Sequence, residues 1–315
     1  MKKQIGIMLV FGVLLLGIPC FTFLHNGNFS DVKTVDKNIV KILYTENDKI
    51  EEVSMEDYII GAVLSQMPQD FEEEALKAQA VLAHTYISRR KMTETSDELK
   101  GADISDDTTK YQSYFNKSQA KEFYGDKYEQ AYNKVSKAVK QVKNYILSYD
   151  SKPIVVAFHA LSSGKTESAK NLWGEDIPYL VSVDSSSDKK IDGFEKTEEF
   201  SLEDIKKALE KSFKDMDFST LEDDLKIEKT TETDTVLIVN AGGNKISGTD
   251  FMNALGLESP CFTIEQNDSK YSIITKGYGH LVGMSQYGAN DMAKEGKTYK
   301  EILEHYFPDT KIKGD

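Results

Sequence analysis

Two cysteines, six prolines and one tryptophan are all that this 315-residue chain holds of those residue types. Each scarcity excludes something. Cys20 sits inside an apolar run and Cys261 has no partner in the remainder, so neither a disulfide framework nor a cysteine-rich zinc site can form. Five scattered histidines without paired spacing point the same way, and no metal or other cofactor is expected. Lys and Arg total 39 against 52 Asp and Glu, for a net charge of −13, with no basic block anywhere. Nothing in the chain can track a phosphate backbone, which argues against nucleic acid as a partner.

One long apolar run is present. Lys2-Lys3 precede an uncharged stretch from Ile5 to about Leu24, and roughly 20 such residues span a bilayer. The lysines before it and Asp31 after it favour a cytoplasmic N-terminus with the bulk of the chain outside the cell membrane. A cleaved signal peptide is the alternative, although no small-x-small site follows the run. The organisation read from the sequence is an anchor over 1–25, a polar linker over 26–39 and one large exported domain over 40–315.

Within that domain, Val40–Tyr44 and Ile50–Val53 flank Glu46-Asn47-Asp48 as a hairpin, and Ser54 with Asp57 starts a helix. Pro68 interrupts, and a helix from about Phe71 to Lys91 carries Leu76, Ala80, Ala83 and Ile87 on one face. Asp126 opens a helix expected to reach Leu147, and Pro153–His159 reads as a buried strand. Hairpins are predicted around Ala241–Asn244 and Asn267-Asp268, with helices at Ser201–Leu209, Asp250–Leu255, Met284–Lys294 and Thr298–Tyr306. Mixed helices and antiparallel hairpins without a βαβ rhythm make the class α+β.

Two stretches carry more specific information. Gln66-Met67-Pro68 is followed by Glu74-Ala75-Leu76-Lys77-Ala78-Gln79-Ala80-Val81 and Thr85-Tyr86; far downstream lies Gly277-Tyr278-Gly279-His280-Leu281-Val282-Gly283-Met284-Ser285-Gln286-Tyr287-Gly288-Ala289. Both blocks resemble the stage II sporulation protein D family, as does a third, His159–Ser168, with Trp173-Gly174 after it. The resemblance implies a peptidoglycan-remodelling protein of engulfment during sporulation, acting on peptide-stripped glycan strands as a lytic transglycosylase. It also implies stage II sporulation proteins P and M as companions, the former an amidase and endopeptidase.

One departure bears directly on chemistry. Cleaving a glycosidic bond requires a proton delivered to the leaving oxygen. The family places a Glu before Met-Pro for that task; this chain has Gln66. An amide keeps the ability to hydrogen-bond a sugar but has no proton to give, and losing general acid catalysis costs on the order of 10²–10⁴-fold. Two readings follow: a lytic enzyme rescued by Glu72, Glu73, Glu167 or water, or an inactive glycan-binding module that guides a partner amidase. Further departures are His84 and Met252, where the family usually has Arg, and Leu281, where it usually has Gly and where the larger side chain is expected to narrow the site.

By the same resemblance, Ser162, Ser163, Gly164 and Glu167, together with Tyr278, His280, Ser285, Gln286 and Tyr287, are expected to line a sugar-binding groove. Gly164-Lys165-Thr166 is only half a phosphate-binding loop, since His159 stands where its first glycine belongs. Ser162-x-x-Lys165 lacks the Lys-Thr-Gly companion of a penicillin-binding site, and Gly283–Tyr287 misses the last glycine of a nucleophile elbow.

Overall fold

The computed structural model describes residues 36–93, 97–222, 224–267 and 270–315. The expected anchor and most of the linker lie outside these residues; among the described residues no helix is long and apolar enough to cross a membrane. Helices and strands mix along the chain in an α+β arrangement. The sequence reads as one domain from 40 onward, whereas the chain divides into two compact units. One runs to Ala157 and takes in Ala289–Asp315; the other is Phe158–Gly288.

In the first unit the predicted hairpin forms, with Ile39–Tyr44 paired antiparallel to Lys49–Ser54 in register from Ile39↔Ser54 to Tyr44↔Lys49. Ile104–Ser105 adds a short parallel strand beside Ile42 and Leu43. Ser54 caps the helix Met55–Gln66, its hydroxyl accepting the Asp57 N–H at 3.0 Å; such a cap contributes about 1 kcal/mol. Pro68 then acts through its neighbour. A residue before proline is pushed out of the helical region, and Met67 is extended at φ −117°, ψ 135°, so the helix stops at Gln66.

The helix Glu73–Met92 is the centre of this unit. Helices Met55–Gln66, Tyr128–Val142 and Tyr299–Tyr306 and the strand Tyr145–Tyr149 pack around it. Its predicted stripe is buried, and so are Ala75, Ala78, Gln79 and Val81 on other faces. Four alanines allow neighbours to approach from several directions. Lys77, 8% exposed, is tolerated there because it is ion-paired to Glu74 at 2.6 Å and Glu73 at 3.2 Å. The helix predicted to reach Leu147 ends at Val142, because Tyr145–Tyr149 is a strand paired with Lys311–Gly314.

The second unit holds three sheets. Gly242 and Gly243, at φ +61° and +80°, turn the hairpin Val236–Ala241/Asn244–Ser247, which Leu225–Thr230 extends. Phe262–Asn267, Lys270–Lys276 and Glu195–Ser201 form a second antiparallel sheet. Ile205, Leu209, Val236, Val239, Phe251, Phe262 and Ile273 share one apolar core, where Phe251 and Phe262 stack with centroids 5.5 Å apart. The third sheet is a short parallel pair, Phe158–His159 with Met284–Ser285. It changes two expected elements. Pro153–His159 is not one continuous strand, and Met284–Ser285 precedes the helix Gln286–Lys294 instead of opening it.

Candidate functional site

Gln66 ends its helix almost fully buried, 3% exposed. Its Oε1 accepts from the side-chain amides of Gln112 at 3.1 Å and Gln79 at 3.3 Å. Gln112 is itself held: its Oε1 accepts from the Tyr58 hydroxyl at 3.0 Å, and its backbone N–H donates to the Tyr86 hydroxyl at 3.2 Å. Burial raises the Tyr58 phenol well above its usual range, so it remains a donor. Tyr58 in turn stacks on Tyr114 with centroids 5.7 Å apart. The site where the family's acid is expected is thus a cage of amides and phenols in which two amide donors converge on the Gln66 oxygen.

Two neighbouring carboxylates, Glu73 and Glu74, are committed elsewhere. Glu73 accepts from Lys137 at 2.7 Å, from Gln141 at 2.8 Å, and pairs with Lys77. The Lys137 contact above all brings its pKa down to about 2, so it carries no proton near neutral pH. Glu74 accepts from Lys77 and from the Tyr299 N–H at 2.7 Å. Glu72 precedes the helix as its exposed cap residue, with its N–H donated to the Asn290 side chain at 2.7 Å.

In the second unit the two glycine-bearing blocks meet. Tyr278 and Leu161 exchange backbone hydrogen bonds of 2.7 and 3.1 Å, and Glu167 N–H donates to the Leu281 carbonyl at 2.7 Å. The glycines around Tyr278 are required by that approach: a Cβ on Gly277 would lie 2.7 Å from the Leu161 carbonyl oxygen, and one on Gly279 would lie 2.9 Å from His159 Cβ. Both have positive φ, +77° and +101°.

Glu167 lies beneath this junction, 1% exposed. It accepts from Ser168 N–H at 2.7 Å, Asn171 Nδ2 at 2.9 Å, Thr231 Oγ1 at 2.7 Å and Thr233 Oγ1. Burial alone would raise its pKa, but the Thr233 and Thr231 hydroxyls, Ser168 and Asn171 outweigh it and hold the carboxyl ionised. Ser162, Ser285 and Gln286 are also buried. Ser162 Oγ accepts the Gly164 N–H at 3.0 Å, while Ser285 Oγ donates to the Ala160 carbonyl and accepts the Gly288 N–H at 3.1 Å. Ser163, Tyr278, His280 and Tyr287 keep partial exposure. The expected set therefore separates into fully buried side chains that hold the loops and side chains that keep part of their surface.

His159 is the residue the sequence reading passed over. Its Nδ1 bonds the Val282 carbonyl at 3.1 Å, while Val282 N–H donates to His280 Nδ1 at 3.1 Å. The two rings are 5.8 Å apart, and Trp173 lies 5.7 Å from His280. Burial pushes His159 down to about 3, helped by His280, and burial brings His280 to about 4, so both rings are neutral at physiological pH. The family-like block Gly277–Ala289 pointed to His280; His159 opens another such block but read only as the end of a strand.

Three departures are placed by the fold. Met252 belongs to the apolar core of the second unit, which a guanidinium would not suit. His84 is 3% exposed, with Nδ1 3.0 Å from the Tyr145 carbonyl and Nε2 3.3 Å from Asp315. Leu281, expected to narrow the site, is instead fully buried, and it adopts φ +66°, a conformation that favours glycine. Among the described residues no three His, Cys, Asp or Glu groups converge to hold a metal ion.

The architecture defines a two-unit α+β protein in which a buried amide cage around Gln66 and a glycine-flanked histidine–tryptophan cluster are built on separate units. Residues 44–149 match the family profile described as "Stage II sporulation protein". The chain is 38% identical over 268 residues to stage II sporulation protein D of Bacillus amyloliquefaciens, covering 85% of this chain and 76% of that one. It is 36% identical over 273 residues to its counterpart in Bacillus subtilis (strain 168), covering 87% and 78% respectively. It is also 27% identical over 301 residues to the amidase enhancer of Bacillus subtilis (strain 168), covering 80% of this chain and 40% of that protein. The chain belongs to the stage II sporulation protein D family.

Proposed function

We propose that this chain is a sporulation cell-wall protein that binds peptide-stripped peptidoglycan strands and supports a partner amidase, without cutting glycan by itself. The observation that carries the reading is the state of position 66: an amide, buried, its oxygen engaged by Gln79 and Gln112. Two of the carboxylates nominated as substitutes, Glu73 and Glu167, are held ionised by their partners and cannot serve as general acids near neutral pH. The likeness to a protein named amidase enhancer supports the partner role. Stage II sporulation proteins P and M are the proposed companions. The proposed location is the cell membrane, with an N-terminal anchor and the two units outside the cytoplasm.

The cage also supports a reversible loss. Its two amide donors already point at Oε1, so Gln66→Glu keeps the shape and both of these donors while introducing an ionisable group. The test incubates the full chain and its Gln66→Glu variant with peptide-free glycan strands, scoring pelleting and 1,6-anhydromuramoyl ends by mass spectrometry. Binding by both, with anhydro ends from the variant at least about 10²-fold above the unaltered chain, is the expected result. Anhydro ends from the unaltered chain at a rate equal to the variant's would refute the reading.

A further inference from the structure

We propose that His159 and His280 together read one hydroxyl group of a bound sugar, with Trp173 as the cover that shifts to admit it. The proposal rests on the glycan-binding reading above and gives it a place in the second unit. It starts from Val282. The Val282 carbonyl accepts from His159, which puts that ring's proton on Nδ1 and leaves Nε2 as a bare acceptor. The Val282 N–H donates to His280 Nδ1, which puts the second ring's proton on Nε2 and makes that atom a donor. The two backbone groups of one residue thereby set opposite tautomers on two neighbouring rings.

Both Nε2 atoms are shielded from solvent and neither has a hydrogen-bond partner among the described residues. The carbonyls of Phe158 and His280 itself lie close enough to favour the His280 proton, but neither completes a hydrogen bond to Nε2. Buried polar atoms left without hydrogen bonds are costly, so a ligand that satisfies both is favoured there. The ligand must offer a donor to His159 and an acceptor to His280. A hydroxyl does both. A phosphate or carboxylate would face the lone pair of His159, and a metal ion would need a lone pair that His280 Nε2 does not have while Val282 N–H holds Nδ1.

The remaining wall fits a sugar. Trp173 packs 5.7 Å from His280 at 60°, is half-exposed, and ends a five-residue helix just before Gly174 at φ +74°. Because neither Nε2 has accessible surface, a ligand reaches the pair only if a neighbour moves, and the half-exposed indole lies against His280. An indole displaced in this way presents an apolar face to a pyranose ring.

Trp173 is the only tryptophan, so its emission reports this place alone. The full chain is titrated with peptide-free glycan strands and, separately, with a chitin tetrasaccharide, following Trp173 emission; strand pelleting is measured in parallel. His159→Asn keeps a donor for the Val282 carbonyl but loses the acceptor, and His280→Asn keeps an acceptor for the Val282 N–H but loses the donor. The expected result is a saturable emission change, weakened about tenfold in each variant, the effect of one lost hydrogen bond. On the unaltered chain, ring ¹⁵N shifts should place the protons on His159 Nδ1 and His280 Nε2, and both Nε2 signals should move with the sugar, a readout independent of variant folding. Strands that pellet while emission, ring shifts and variant affinities stay unchanged overturn the histidine site and leave the glycan reading standing. A response to the tetrasaccharide without strand pelleting retains the site and overturns the glycan-strand reading. No response to either overturns both.

Discussion

His159 makes the stability of the second unit depend on pH in a defined window. The ring is 2% exposed, and burial takes its pKa from 6.5 to about 3. The unfolded chain therefore takes up this proton as pH drops below 6.5, while the folded chain resists until about 3. Stability is complete above the unfolded value and declines as pH falls toward the folded one, by about 1.4 kcal/mol per pH unit. Between about pH 7.5 and pH 5.5 the loss from His159 alone comes to about 1.4 kcal/mol. His280, brought to about 4 by burial, adds in the same direction across this window. The lowered carboxyls do not interfere: Glu73, Glu167 and Asp315 start from 4.5, 4.5 and 3.8 and shift downward, so their effects lie below this window. The assay is urea unfolding followed by Trp173 emission at the two pH values, for the unaltered chain and His159→Asn. The unaltered chain should lose about 1.4 kcal/mol more than the variant. Parallel losses in the two proteins would show that His159 titrates normally in the folded state and would refute the argument.

Two further outcomes follow from the same unit. Glu167→Gln removes the charge that four donors surround and should destabilise the chain by about 1–3 kcal/mol at neutral pH. Because the lowered Glu167 pKa adds stability above 4.5 that is lost as pH falls through its folded value, the gap to the variant should narrow in acid; a gap that stays constant as pH falls would count against the charge as its source. Leu281→Gly relieves a left-handed backbone worth about 1–2 kcal/mol but empties a fully buried site, at about 2–5 kcal/mol. The net effect in thermal melts should be destabilising, and a raised Tm would show that strain outweighs packing there.

Much of the local structure was legible because its causes are local. Ser54, Ser201 and Thr298 cap the helices expected of them, each accepting an N–H three residues on, and the glycine turn at Gly242-Gly243 closes the predicted hairpin. The misses share one cause. Phe158–His159, Met284–Ser285 and Lys311–Gly314 are strands only because of partners more than 100 residues away, which no local pattern announces. The helix Glu73–Met92 shows one apolar stripe in sequence, yet it is enclosed on several sides, since alanines permit contact that hydrophobic periodicity does not encode.

The candidate site divides the same way. The sequence by itself determined the chemistry available: an amide at position 66, directly before Met67-Pro68, and two glycine-rich blocks able to approach closely. Tertiary structure decided what that chemistry can do. Gln79 and Gln112 reach Gln66 from 13 and 46 residues away, and Thr231 and Thr233 charge-stabilise Glu167 from 64 and 66. Val282 imposes opposite tautomers on histidines separated by more than 100 positions. Proton position, ionisation and hydrogen-bond direction depend on which groups lie within about 3 Å, and only the folded chain sets those distances.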